Sequence, residues 1–112
     1  MAVRIMIKRT VPPEKEQNLL SLIMYLRILA AHEPGYISGE TLRKIGEPET
    51  FLVISNWQSS EDWENWRKNG ARESVQKKID DLLGSETQYE MYRFPDKQKF
   101  DLSDFIAEHG SS

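Results

Sequence analysis

The first segment of the chain alternates between apolar and other side chains, as β-strands do. Val3, Ile5 and Ile7 occupy every second position, and this period of two predicts a strand with one face in the core. Prolines follow at 12–13, and residues 14–31 then have helical spacing, which predicts a helix that begins with proline. Its apolar positions form two neighbouring stripes, so we expect more than one neighbour to cover it. The first stripe contains Leu19, Leu22, Ile23, Leu26, Leu29 and Ala30, and the second contains Leu20, Met24, Ile28 and Ala31.

The remaining elements are separated by glycine, proline and polar turns. Residues 51–54 are apolar without interruption, which predicts a central strand buried on both faces. Two tryptophans three positions apart, Trp63 and Trp66, fall on one face of a short helix. The predicted elements are strands at 36–45 and 50–57, a helix from Ser59 or Ser60 to the break at Asn69-Gly70, a helix at 71–83 that stops at Gly84, and a strand at 87–94.

The order of elements over residues 3–94 is therefore β-α-β-β-α-β, a split βαβ unit of the ferredoxin-like type. We predict an α+β fold with a four-stranded antiparallel sheet and the helices on one face. The other face would be left uncovered although the third strand is apolar on both sides. A homodimer that packs sheet against sheet solves this problem. We assign residues 1–94 to the domain and 95–112 to a C-terminal extension that contributes to assembly through Phe100, Leu102, Phe105 and Ile106.

Composition narrows the classes of function. The chain has 112 residues and a net charge of −3, so there is no basic excess to meet a nucleic acid. It has no cysteine and only two histidines, His32 and His109, far apart in sequence, which argues against a zinc cluster or a cysteine nucleophile. The longest apolar stretch, residues 19–31, is interrupted and too short to span a membrane. We expect a cytoplasmic protein.

Several side chains have both a functional and a structural interpretation. Trp66 either lines a ligand pocket between helix and sheet or is a core residue. Asn56 orients a ligand oxygen or serves the turn after its strand. His32 is a general base near neutral pH, or a cation that suits the last turn of a helix. Met24, with Leu20 and Ile28, either walls a pocket for a flat apolar ligand or packs on the second helix.

Five parts of the sequence carry a resemblance to a known family: Glu33-Pro34-Gly35-Tyr36, Gly39-Glu40-Thr41-Leu42, Phe51-Leu52-Val53-Ile54-Ser55-Asn56-Trp57, Ser59-Ser60-Glu61-Asp62-Trp63 and Trp66. On these residues the chain resembles the antibiotic biosynthesis monooxygenase (ABM) family of dimeric α+β barrels over about residues 3–94. Related barrels host oxygenases, haem-degrading enzymes, isomerases and proteins without assigned chemistry, so the resemblance is more specific for fold than for activity.

The haem-degrading branch of these barrels uses a strand asparagine, a helix tryptophan and a histidine ten positions later. Trp66 matches the tryptophan, but Gln76 stands at the histidine position and is a poor iron ligand. The strand position falls on Ile7, or on Lys8 if the register slips by one. Two of the three positions fail, and the resemblance therefore argues against haem degradation.

The quinone-forming branch works without metal or flavin, because its phenolic substrate becomes an anion and itself reduces oxygen. The resemblance thus implies a monooxygenase without a cofactor, acting on an aromatic or quinol-like small molecule. The alternative is a homodimer that binds a small molecule without catalysis, and a haem protein comes third. The candidate pocket residues are Trp66, Asn56, Gln76, Ile7, Met24 and His32.

Overall fold

The computed structural model describes residues 1–95. A four-stranded sheet is covered on one face by three helices. The hydrophobic pattern predicts these helices, although the β-α-β-β-α-β order counts the two that follow the third strand as one. The elements are β1 (Val3–Thr10), α1 (Glu16–Ala30), β2 (Tyr36–Lys44), β3 (Glu47–Trp57), α2 (Ser60–Arg67), α3 (Gly70–Leu83) and β4 (Glu90–Arg93). The C-terminal apolar residues named above lie outside the described residues.

The sheet has the order β2-β3-β1-β4, and every neighbouring pair is antiparallel. The two central strands are therefore the first and third in sequence, as a split βαβ unit requires. Odd-numbered residues of β1 face the helices, and Val3, Ile5 and Arg9 are all buried there. Even-numbered residues of β1 and β3 point outward, where Met6 lies opposite Ile54. The predicted fold class is confirmed.

The helices begin and end at residues suited to those positions. A 3₁₀ turn at Pro13–Lys15 replaces the predicted first turn of α1. The Ser59 hydroxyl accepts a hydrogen bond from the Asp62 backbone N–H and caps α2, and the Asn69 side chain caps α3 in the same way. Gly84 ends α3 with φ +70°, a left-handed conformation that glycine adopts without strain.

The fourth strand is shorter than the predicted 87–94, since only Glu90–Arg93 pairs with β1. The preceding residues are bound to α3 instead. The Thr87 hydroxyl hydrogen-bonds with side chains of α3, and the Tyr89 ring packs at 5.4 Å from that of Trp63. These contacts hold residues 87–89 against the helices and away from the edge of β1. The alternating pattern of residues 87–94 gives no sign that α3 competes with β1 for residues 87–89.

Residues 1–95 leave the second apolar stripe of α1 uncovered, contrary to the expectation from its pattern. Leu20, Met24 and Ile28 are 37%, 53% and 53% exposed. The α3 helix packs on the first stripe, where Leu19 and Ile23 contact Ile79, and Ala30 at the end of the same stripe packs with Trp63 and Trp66 of α2. Leu20, Met24 and Ile28 line an open groove on the outer side of α1, together with Arg43 of β2. Their expected packing on the second helix is therefore not seen within residues 1–95, and their role as a pocket wall stays a prediction.

The outward face of the sheet is partly apolar. On β3, Ile54 is buried and Leu52 is half-buried, while Leu42 of β2 and Tyr92 of β4 remain exposed. The expectation that β3 is buried on both faces holds for Ile54 but is incomplete for Leu52 in the single chain. None of the helices within the described part of the chain is long and apolar enough to span a membrane.

Candidate active site

A cavity of about 90 Å³ lies between the helices and the inward face of the sheet. The strands β1, β2 and β3 form its floor, and α1, α2 and α3 form its walls. Its lining is mainly apolar, with side chains such as Ile7, Val53 and Ile79. This volume is small beside the 300–1,000 Å³ that is typical of sites for drug-sized ligands.

Three tryptophans meet at one side of the cavity. Trp57, at the end of β3, is fully buried and stacks on Trp66 with 6.0 Å between ring centroids and 27° between ring planes. The ring centroids of Trp63 and Trp57 lie 6.1 Å apart. The Tyr36 ring packs edge-on against Trp57, with 5.3 Å between the centroids. The short α2 helix presents Trp63 and Trp66 to this cluster because they are three residues apart. The cluster forms a large aromatic surface beside the cavity.

The opposite side carries polar groups that belong to one hydrogen-bonded network. The Gln76 amide donates to the Thr87 hydroxyl at 2.5 Å and to the Asp80 carboxylate at 3.1 Å. Arg9 donates to the same hydroxyl at 2.5 Å and lies 3.8 Å from Asp80. The charge of Arg9, which is 8% exposed, is thus balanced by a carboxylate. Buried charges require such compensation.

Arg72 is the second buried arginine and is 5% exposed. It donates to the Arg67 carbonyl at 3.0 Å and the Gln76 amide oxygen at 3.4 Å, and also to the Tyr89 hydroxyl. Its guanidinium lies 5.7 Å from the Trp63 ring centroid and 5.2 Å from that of Tyr89. Within residues 1–95, no carboxylate comes within 4.0 Å of its charged nitrogens.

A third arginine, Arg27, reaches the cavity from α1. It donates to the Thr41 hydroxyl at 2.7 Å, and it passes over Gly39, where a Cβ atom would come within 2.9 Å of its Nε and 2.7 Å of the Tyr36 hydroxyl. The lack of a side chain at Gly39 therefore lets both groups lie close to β2. Together the described lining residues include three arginines and no acidic side chain.

The two tyrosines at the cavity remain protonated near neutral pH. Burial raises the pKa of the Tyr89 phenol above its ordinary value, although the Arg72 guanidinium opposes this effect. Burial also raises the pKa of Tyr36, against the influence of Arg27. Both hydroxyls can therefore donate hydrogen bonds to a ligand oxygen.

Three of the residues predicted from the sequence lie together at this cavity. Trp66, Gln76 and Ile7 all line it. Trp66 belongs to the aromatic side and Gln76 to the polar side, so the two interpretations of Trp66, core and cavity wall, apply at once. Binding of a ligand by these residues stays a prediction.

The other three predicted residues lie elsewhere. Asn56 is on the outward face of the sheet, where it accepts from Arg4 at 2.9 Å and donates to Ser38 at 3.0 Å. Met24 is on the exposed side of α1, and His32 is exposed just after that helix ends. The phase of the strand and of the helix directs these side chains away from the cavity.

The arginines and tyrosines of the cavity were missed by the sequence interpretation. For Arg9 and Arg72, the periodicity of the sequence contained a signal. Arg9 continues the inward positions of β1, and Arg72 precedes Val75 and Ile79 by three and seven residues on the inward face of α3. A charged residue at a core position of an amphipathic element is a signal of a functional or paired group. Tyr36 and Tyr89 carry no such signal, because tyrosine is common in strands.

A comparison with known families matches most of the chain. The model of the antibiotic biosynthesis monooxygenase family matches residues 2–78, which include all three helical walls up to Lys78 and three of the four strands. The chain belongs to the antibiotic biosynthesis monooxygenase family. The predicted resemblance is confirmed, and the match includes Trp66, Arg72 and Gln76. No functionally curated protein matches the sequence significantly.

Solved structures of similar fold come from several organisms. A conserved protein of Methanosarcina mazei Go1 has a TM-score of 0.76 at 22% identity, covering 83% of this chain and 92% of that one. An antibiotic biosynthesis monooxygenase assigned in Nitrosomonas europaea has a TM-score of 0.74 at 12% identity, with 85% and 91% covered. A mutant of SnoaB, a cofactor-independent oxygenase from Streptomyces nogalater, has a TM-score of 0.74 at 13% identity, with 88% and 97% covered. At these identities the likeness shows the fold.

Proposed function

We propose that this member of the ABM family is a cofactor-independent monooxygenase that oxidises a small aromatic or quinol-like molecule with an acidic hydroxyl. The observation that carries the proposal is the composition of the cavity, which combines an aromatic wall with three arginines and has no acidic side chain among its described lining residues. An aromatic surface suits a flat ring. Cations in a site of low dielectric favour the ionised form of a phenol.

In this reaction the substrate itself supplies the electrons that reduce O₂. Loss of the hydroxyl proton gives an anion that transfers an electron to O₂, and the two radicals then combine at a ring carbon. When that carbon is a methylene, one oxygen atom becomes its carbonyl and the other leaves as water with the two displaced hydrogens. The protein would bind the ring, stabilise the anion and keep bulk water out of the cavity.

The arrangement assigns parts of this task to particular residues. Trp57 and Trp66 form the surface on which a ring would stack. Tyr89 and Tyr36 are protonated and would donate to a ligand oxygen. The described lining includes no carboxylate or imidazole that would act as a base, and His32 lies outside the cavity, so substrate ionisation would depend on a lowered substrate pKa rather than on a dedicated base.

The direct test is oxygen uptake by the purified protein with a panel of anthrones and hydroquinones. We expect uptake above the rate of spontaneous oxidation for at least one compound, with a product that contains one atom from ¹⁸O₂. Replacement of Lys77, which is exposed on α3 and is absent from the cavity lining, with methionine is a control that leaves the cavity unchanged. If no compound is consumed faster than without protein, while ligands still bind, the enzyme assignment is wrong.

Ligand binding without consumption would indicate the second candidate, a non-enzymatic ligand-binding homodimer. The missing base among the described lining residues favours this candidate. In it the same cavity would bind an aromatic anion without oxidising it. Anaerobic and aerobic incubation would then return the ligand unchanged in equal amounts.

The homodimer itself is supported by the outward face of the sheet. Leu42 is 45% exposed and Tyr92 is 50% exposed there, and Leu52 and Ile54 of the central strand lie between them in the sheet. Packing this face on that of a second copy would bury these side chains and complete a barrel of two sheets. Two antiparallel sheets commonly pack face to face in this way.

A further inference from the structure

The cavity holds a buried positive charge without a balancing negative one among the residues that the structure describes. Arg9 and Arg72 are equally inaccessible, yet Arg9 has Asp80 beside it and Arg72 has no carboxylate within 4.0 Å. Arg27 also lacks a carboxylate partner in residues 1–95, but it is only half-buried and water can solvate it. A buried unpaired cation is costly, so Arg72 is the position where an incoming anion would gain most.

Some N–H groups of the Arg72 guanidinium have no acceptor within residues 1–95. A guanidinium has five N–H groups, and within residues 1–95 Arg72 finds three acceptors, the Arg67 carbonyl, the Gln76 amide oxygen and the Tyr89 hydroxyl. Two of its N–H groups thus remain without an acceptor there. Neutral oxygens satisfy hydrogen bonds, but they do not neutralise the charge.

Trp63 supplies a second, independent sign of a missing acceptor. Its side chain lines the cavity and is 3% exposed. The indole Nε1 is the one buried side-chain polar atom in the described part of the chain that lacks a hydrogen-bond partner. Buried indole N–H groups usually have an acceptor. The Arg72 guanidinium lies 5.7 Å from the centroid of this ring, and both side chains line the same cavity.

The polar partners also hold Arg72 in place. Stacking on the Trp63 and Tyr89 rings limits its rotamers, and its backbone N–H donates to the capping Asn69 side chain at 3.1 Å. A cation fixed in this way does not need to be reoriented when an anion arrives. Preorganised groups of this kind discriminate best between charged and neutral ligands.

We infer that Arg72 and Trp63 form a subsite for a single anionic oxygen on a one-ring aromatic ligand, namely its phenolate. The inference rests on the proposed function, because it specifies the ionised form in which the substrate binds. The size limit follows from the cavity, since about 90 Å³ is less than the roughly 150 Å³ of a cavity that accepts benzene. A single ring already requires some outward movement of the lining side chains, and a polycyclic ligand would require much more.

The test uses 4-nitrophenol, whose phenolate absorbs visible light and whose neutral form does not, and nitrobenzene as the neutral isostere. Binding is measured without oxygen, so that the result is independent of any oxidation. We expect added protein to increase the phenolate band at a pH near the pKa of the free probe. The bound probe should favour the phenolate by roughly ten-fold or more over the free probe, and nitrobenzene should bind more weakly.

The variant Arg72→Met removes the charge and keeps the length of the side chain. It should weaken phenolate binding by roughly ten- to one-hundred-fold and leave nitrobenzene binding within about three-fold, while Arg72→Lys should restore part of the difference. Lys77→Met is the matched control, because Lys77 is exposed on α3, lies outside the cavity lining and carries the same charge. It should bind both probes as the unaltered protein does.

Several results would overturn the inference. One is equal affinity of the unaltered protein for the two probes or no binding of either. Another is an unchanged phenolate preference in Arg72→Met, or an equal loss in Lys77→Met, which would indicate only a general charge effect. If Arg72→Met does not fold, Arg72→Lys and Tyr89→Phe decide, since a phenolate preference unaltered in both would exclude the subsite. Oxygen uptake by other substrates alongside these failures would leave the proposed function intact.

Discussion

Replacing Trp66 with phenylalanine separates the two roles of this side chain, in the core and at the cavity. Trp66 is 6% exposed and stacks on Trp57. Phenylalanine keeps a ring there but removes two carbons and one nitrogen. At about 0.8 kcal/mol per buried carbon, we expect a loss of about 1–2 kcal/mol. For a domain of this size the melting temperature would fall by roughly 4–8 °C per kcal/mol.

The same substitution should change which ligands bind. Removal of part of the indole enlarges a cavity of about 90 Å³ on its aromatic side. We therefore expect 1-naphthol to gain affinity relative to 4-nitrophenol, as measured by competition at equilibrium, and turnover of any oxidised substrate to change with it. The ligand preference, not the stability, is the decisive quantity.

Phe51→Leu is the matched control for this experiment. Phe51 is 3% exposed and packs with Leu19 and Ile79, but it is absent from the lining of the cavity. It should lower stability by a similar amount and leave the ligand preference unchanged. If Trp66→Phe loses stability and yet binds and turns over every ligand as before, Trp66 is a core residue alone and the site lies elsewhere.

Three further expectations concern assembly and haem. The protein should sediment as a dimer at micromolar concentration, with more than roughly 2,000 Å² buried. Leu42→Lys on the outward sheet face should produce monomers, whereas Ile28→Lys on α1 should not. A stable folded monomer of the unaltered protein would contradict this expectation. Haem should bind weakly and survive ascorbate, because Gln76 is engaged by Thr87 and Asp80, and a sharp Soret band that is lost under ascorbate would show this to be wrong. Deletion of residues 95–112 should weaken the dimer, and unchanged stability and dimerisation would refute a role in assembly for Phe100, Leu102, Phe105 and Ile106.

The sequence alone determined the order and the inward faces of the elements. Alternation at Val3, Ile5 and Ile7 identified β1 and its buried side, since the period of two is a local property of an extended chain. Spacing likewise identified α1 and α3, and Ser59 marked the start of α2. The order of these elements then indicated the split βαβ topology. The resemblance to the ABM family singled out Trp66, Gln76 and Ile7, and the structure places all three at the cavity.

Only the tertiary structure decided which polar side chains share the cavity. Arg9 and Thr87 are far apart in sequence and meet because β1 and the segment after α3 lie side by side. The balance between Arg9 and Asp80, and its absence at Arg72 within residues 1–95, is likewise a matter of distances that no spacing along the chain encodes. The length of β4 was decided in the same way, by the competition of α3 for Thr87 and Tyr89. Charge balance and burial depend on every neighbour in space, whereas periodicity depends only on neighbours along the chain.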